Sequence, residues 1–154
     1  MKNRNNKIID IHAHILPGVD DGAKTLEEAL CTLMEAQRQG IERIIVTPHY
    51  HPGRYIVTPP QIREKLAILR EECKKRNIRV ELYPGQECCY YSGLPEELLK
   101  GNVLTMAGSR YVLVEFEPDC LYSYLAGGLR ELQSCGYQPI LAHFERYQCL
   151  QQQK

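Results

Sequence analysis

The sequence predicts an α/β fold in which parallel strands alternate with flanking helices. Three observations carry this. Short apolar runs alternate with amphipathic segments of helical period, the second apolar run is continuous as in a strand buried on both faces, and each segment is bounded by cap or turn residues. Units of this length connect as right-handed strand-helix-strand crossovers.

Residues 8–14 (IIDIHAH) form the first strand. Thr25-Leu-Glu-Glu28 is a capping box opening a helix with Leu26, Ala29, Leu30, Leu33 and Ala36 on one face, and Gly40 ends it. Residues 41–47 are the second strand. Thr58 and Pro59 start a second helix with Ile62, Leu66, Leu69 and Cys73 on its stripe, and Asn77 stops it. The third strand, 78–83, runs into Pro84-Gly85-Gln86-Glu87. A short helix follows from Ser92-Gly93 to Lys100, then an extended piece over 103–106 and a fourth strand over 111–116. A third long helix carries Leu121, Leu125, Leu129 and Leu132 and closes at Gly136. The fifth strand, 139–142, ends on His143.

Composition fits one globular domain with a core of its own: 44% of the 154 residues are hydrophobic and 25% charged. Nineteen basic residues balance nineteen acidic ones, so no net field recruits nucleic acid or an anionic membrane. The polar start MKNRNNK leads into an apolar run too brief for a signal sequence or a membrane insertion, which makes the cytoplasm the expected location. Seven cysteines lack any C-x-x-C pair and read as reduced packing thiols. Cys73 and Arg79 match the C-x5-R spacing of cysteine-dependent phosphatases. However, a helix leads in, a strand leads out and no glycine lies between, so the match reads as chance.

The chemistry-bearing residues fall at strand ends. Asp10, His12 and His14 share parity on the first strand, so one face is expected to carry all three. His49 follows the second strand, Glu87 the third and His143 the fifth, while Glu115 lies inside the fourth. In parallel α/β folds the carboxyl ends of the strands are where loops converge to build a site. Singly, each residue has an ordinary explanation as a satisfied core histidine or a paired carboxylate. Jointly, the imidazoles and carboxylates need partners that a cation cluster supplies together. Mixed imidazole and carboxylate ligands suit manganese, iron or zinc, and the carboxylate share favours the harder ions.

The segments DIHAHILPGVDDG, TPHYHPGRY, PGQE, YVLVEFE and LAHFERY, in this order, resemble the PHP superfamily and, within it, the CpsB/CapC branch of manganese-dependent bacterial tyrosine phosphatases of capsule and exopolysaccharide synthesis. The resemblance spans essentially the whole chain and implies a distorted β/α barrel. It implies a divalent metal cluster, Mn2+ first with iron or zinc as alternatives, held by His12, His14, Asp21, His49, Glu87, Glu115 and His143. It also implies that Arg146 holds the substrate phosphate. Asp21 enters from the resemblance alone; a DDG turn otherwise reads as loop chemistry. Asp10 is expected behind a ligand histidine, orienting its ring, and His51 beside the substrate rather than on metal. Tyr50 and Tyr55 are candidates for a rim that accepts an aromatic group.

The implied reaction is metal-assisted hydrolysis of a phosphomonoester, with no cysteine nucleophile. The implied partner is a phosphotyrosine protein, a bacterial tyrosine kinase. The sequence ends just beyond the fifth strand with no later D-x-H block, short of the about 250 residues of a closed β/α barrel. Residues 1–154 are thus expected to be a partial barrel, the amino-terminal portion of a single PHP-type domain lacking its last strands and helices. Such an open sheet invites self-association, hence a homo-oligomer. Two other functions stay open: a small-molecule phosphatase of the histidinol phosphatase type, and a non-catalytic remnant that binds the kinase or itself.

Overall fold

The computed structural model describes residues 8–151; MKNRNNK and the last three residues of the terminal QQQK lie outside the described residues. The fold is mixed α/β. Its first sheet orders β1 (Ile8–Ala13), β2 (Ile41–Val46) and β5 (Glu81–Pro84) as β1-β2-β5, all parallel. Its second contains β3 (His49–His51), β4 (Tyr55–Ile56), β6 (Glu87–Cys89), β7 (Tyr111–Glu115) and β8 (Gln138–Leu141) in the order β4-β3-β6-β7-β8. Among the described residues, only the β3–β4 pair is antiparallel.

The sequence predicts parallel strands of a partial barrel; two sheets form because two strands break and resume. Thr47-Pro48 separates β2 from β3, and Gly85-Gln86 separates β5 from β6. Proline has no N–H to donate to a ladder. Gly85 meets a tighter limit: a Cβ there would lie 2.9 Å from Ile45 Cγ2. Buried Gln86 secures the second break, its amide donating to the Val57 carbonyl and its Oε1 accepting from the Leu104 backbone, both at 2.9 Å. The extended piece over 103–106, tied to Gln86 through Leu104, leads into a 3-10 turn at Met106–Gly108.

Helices α1 (Leu26–Arg38) and α2 (Pro59–Lys75) cover the first sheet, and their stripes meet Ile44, Val46 and Leu82 in one core. Thr25 caps α1 by accepting from the Glu28 N–H at 3.2 Å. Past the end of α2, Asn77 takes a left-handed φ of 57°. Cys73 lies buried on that helix, which disposes of the C-x5-R match. Helices α3 (Leu94–Lys100) and α4 (Tyr122–Ser134) pack a second core around Cys88, Val112, Val114 and Phe116. Leu125 and Leu132 of α4 are buried there, whereas Leu121 precedes the helix and is exposed. A short α5 (Gln148–Gln151) follows Tyr147, whose hydroxyl accepts from the Phe116 N–H at 3.1 Å.

Strand β1 departs from its expected alternation. Its pairing with β2 slips between Ile8 and Ile9 and again between Asp10 and Ala13, and a one-residue slip exchanges the faces of a strand. Asp10 consequently shares a hollow with Ala13, Ile15, Cys31 and Glu35 beside α1, away from His12 and His14. Ile8, Ile9 and Ile11 are exposed, as an edge strand with one uncovered face leaves them. No helix of the described residues is long and apolar enough to cross a membrane.

Candidate metal centre

The ends of β1, β3, β6, β7 and β8 converge, and the centre of their convergence is one carboxylate. Glu87, the first residue of β6, is buried at 1% exposure. Its Oε2 lies 3.0 Å from His12 Nε2, 3.0 Å from His14 Nε2 and 3.3 Å from His49 Nδ1. Its Oε1 lies 3.0 Å from His143 Nε2. Glu115 closes the far side, with Oε1 at 3.0 Å from His49 Nδ1 and Oε2 at 3.2 Å from His143 Nε2. His12 and His14 bring their Nε2 atoms within 3.1 Å of each other.

Strand register explains how residues far apart in sequence meet. His49 pairs directly with Glu87, and Cys89 with Glu115, in neighbouring parallel strands. His143 reaches the centre because its backbone is left-handed, with φ 32° and ψ 51°. Histidine is among the residues that tolerate this region, and such strain gathers where function fixes a side chain.

Asp20, buried in the DDG turn, holds the His14 ring. Its Oδ2 lies 2.8 Å from His14 Nδ1 and accepts from the His49 N–H at 3.0 Å, while Oδ1 accepts from the Gly22 N–H at 2.9 Å. The place expected for Asp10 therefore belongs to Asp20; among the described residues Asp10 accepts the N–H of His12, at 3.1 Å, because the slip in β1 turns it away. The signal was present in the sequence: an aspartate two residues before glycine is an Asx-turn pattern. A Cβ on Gly22 would fall 2.1 Å from the His14 carbonyl oxygen, so only glycine lets the turn close over this histidine.

Asp21 is exposed and lies at the edge of the group, 3.5 Å from His49 Nε2. His51, Arg54, Tyr55 and Arg146 line the cleft beside the centre. The Arg146 guanidinium is exposed at this rim, 4.0 Å from Glu145, and Arg54 lies over the Tyr55 ring, which itself stacks on His49. Arg54, within HPGRY, was not singled out from the sequence. Tyr50 is buried in the second core instead of lining the rim.

Charge is strongly organised here. Burial alone opposes a proton on His14, but the hydrogen bonds and charges of Asp20 and Glu87 outweigh it and raise the imidazolium to about 10. Burial pushes Glu87 upward, yet bonds to His12 and His14 and the charges of His12 and His49 bring it well below the usual carboxylate range. Burial lowers His49, and the hydrogen bond and charge of Glu115 with the charge of Glu87 together more than reverse that. The thiols behave differently: burial and the neighbouring carboxylates drive Cys89 up to about 12 and Cys88 higher still, so neither is a thiolate at neutral pH.

The donor set fits divalent cations. His49 Nδ1, Glu87 Oε1 and His143 Nδ1 are buried without a hydrogen bond, although the first two sit at ion-pair distance from charged neighbours. Close approach without hydrogen-bond alignment is what lone pairs directed at a shared ion produce, and orphaned buried polar atoms are otherwise rare. Three groups can hold ions in and around the centre: His12–His14–Glu87, His49–Glu87–Glu115 and His14–Asp21–His49. Replacing Asp20 by Asn keeps one acceptor for the ring but removes its charge; we expect metal affinity to fall by about 10-fold, measurable by competition with a chromophoric chelator.

Residues 8–154 match the family described as capsular polysaccharide synthesis, CpsB/CapC. The chain is 38% identical over 139 residues to the tyrosine-protein phosphatase YwqE of Bacillus subtilis, covering 90% of this chain and 55% of that protein. It is 34% identical over 147 residues to the tyrosine-protein phosphatase CpsB of Streptococcus agalactiae, covering 96% and 60%. It is also similar to a solved structure from a study of YwqE and Streptococcus pneumoniae CpsB as metal-dependent tyrosine phosphatases. The TM-score is 0.85 at 38% identity, over 90% of this chain and 56% of the other. The chain thus spans a little over half the length of these relatives. With the match running from β1 to its last residue, the chain belongs to the CpsB/CapC family.

Proposed function

We propose that this chain is the amino-terminal portion of a metal-dependent protein-tyrosine phosphatase of the PHP type, a single domain acting in the cytoplasm on a tyrosine kinase of capsule or exopolysaccharide synthesis. The single observation that carries the reading is the buried Glu87 carboxylate, faced by four imidazoles with polar atoms left unpaired around it. The exposed Ile8, Ile9 and Ile11 on the β1 edge support a larger, barrel-like whole, and they offer a face for self-association.

His12, His14 and Glu87 would hold one cation and His49 Nδ1, Glu87, Glu115 and His143 a second, with Asp21 and His49 Nε2 facing a third position. Manganese suits this imidazole and carboxylate set best, ahead of iron and zinc. Such ions supply a hydroxide nucleophile near neutral pH and neutralise charge on a phosphoryl group. The chain's own residues do the rest. Asp20 fixes the His14 ring, Arg146 donates paired hydrogen bonds to the phosphate, and Arg54 adds a second cation at the same rim. His51 and Tyr55 flank the entering side chain.

The test is hydrolysis of a phosphotyrosine peptide by the manganese-loaded chain. We expect activity that stripping with EDTA abolishes, that Mn2+ restores and that iodoacetamide leaves within about twofold, as a reaction without a cysteine nucleophile requires. Activity persisting in the metal-free chain, verified by metal analysis, would sink the mechanism. Faster turnover of histidinol phosphate would move the substrate to a small phosphate ester.

A further inference from the structure

Three strands of the second sheet each carry a residue of the centre and, two positions on, another side chain able to bind metal. His49 and His51 lie on β3, Glu87 and Cys89 on β6, and Glu115 and Glu117 at the end of β7. Because strand side chains repeat every two residues, these pairs share a face, and the outer members stand about 7 Å further toward the carboxyl ends. The parallel register of β3 and β6, His49 beside Glu87 and Tyr50 beside Cys88, carries His51 and Cys89 forward together, while Cys89 lies level with Glu115, so Glu117 approaches from just past the end of β7. The ligand atoms of His51, Cys89 and Glu117 all lie within 4.8 Å of one another, and all three residues line the cleft mouth.

Hydrogen bonding makes this grouping more than proximity. His51 Nδ1 lies 3.0 Å from the Pro52 carbonyl oxygen, an acceptor only, so Nδ1 carries the donated proton. In the neutral ring that leaves a lone pair on Nε2, and Nε2 faces Glu117 Oε1 at 3.4 Å. With the ring neutral, two acceptors face each other at this distance, an arrangement that a shared cation satisfies. A carbonyl fixing the distal ring nitrogen is also how proteins orient a ligating histidine.

We propose that His51, Cys89 and Glu117 form a second cation site at the mouth of the cleft, softer than the inner centre and taking Zn2+. Nitrogen, sulfur and oxygen donors in one set suit zinc, with a fourth position open to water, whereas the inner set contains no sulfur. On binding, the cation takes the Cys89 sulfur as thiolate and one proton passes to solvent. The site does not depend on the phosphatase reading.

Cobalt(II) is the probe, because a thiolate on cobalt gives a near-ultraviolet charge-transfer band that nitrogen and oxygen ligands do not. The reduced 154-residue chain, first loaded with Mn2+, is titrated with Co2+. We expect the band to saturate at one equivalent and to be displaced by Zn2+. In C89S the band should vanish while the manganese content stays unchanged, which shows the inner centre and the fold intact. E117Q, altering an exposed side chain, should keep the band and weaken cobalt binding by about 10-fold or more. No band in the unaltered chain, a band surviving in C89S, or E117Q binding as tightly as the parent would each overturn the proposal. Loss of manganese binding in the unaltered chain would count against the inner centre instead and leaves the cobalt readout standing.

Discussion

Glu87→Gln is expected to strip the chain of most of its bound metal and to lower phosphotyrosine hydrolysis by at least about 100-fold, the upper range for groups that merely support ligands. The substitution conserves volume, so no cavity opens at this buried position. What changes is charge and donor pattern. Oε2 meets three imidazoles and Oε1 a fourth, so the carboxylate joins both halves of the centre. An amide has one oxygen and places N–H groups where a second lone pair is needed. The raised pKa of His14 also rests in part on Glu87, so the variant's His14 should hold its proton less tightly. Metal analysis after dialysis, beside circular dichroism of both metal-free proteins, checks the expectation. Equal metal content in a folded variant would remove Glu87 from the centre.

The fold was legible wherever local chemistry and burial agree. The capping residues Thr25 and Thr58, the stripes of α1 and α2 and the continuous β2 all follow from propensity and period, and each formed at or within a few residues of its expected place. What was hidden depends on contacts between distant segments. The break into two sheets comes from Pro48 and Gly85, and a proline at a strand end does not by itself say whether pairing resumes. The slip in β1 is set by its pairing with β2, and it alone decides that Asp10 faces away. The site behaved in the same manner. His12, His14, His49, Glu87, Glu115 and His143 converge because parallel register aligns strand ends, a consequence of the fold class. Asp20 and Asp21 are adjacent identical letters, and only the turn of the backbone over His14 makes one buried and the other exposed. Arg54 and Arg146 gain significance only from the cleft they share.

Metal affinity should rise with pH between 6.5 and 8.5, by up to about tenfold per unit, or about 1.4 kcal/mol. In the metal-free chain His14 holds its proton up to about 10, because Asp20 and Glu87 outweigh the opposing effect of burial. Its folded-state pKa lies above the unfolded value. The stability it contributes is therefore full below about 6.5 and lost as pH rises through about 10. Glu87 is depressed, so its contribution is present above its unfolded value and lost only as pH falls through the lowered one. The two together favour the metal-free chain most in mildly acidic solution. A cation must expel the His14 proton to use Nε2 while Asp20 holds Nδ1, and it gains what the metal-free chain loses as pH climbs. The increase in melting temperature on adding Mn2+ should accordingly be larger at pH 8.5 than at pH 6.5. Asp20→Asn should flatten that dependence, since one of the two carboxylates that hold the proton becomes neutral. A shift identical at both pH values in the parent chain would mean that His14 is already unprotonated before metal arrives, and that the ion pair with Asp20 is a neutral hydrogen bond.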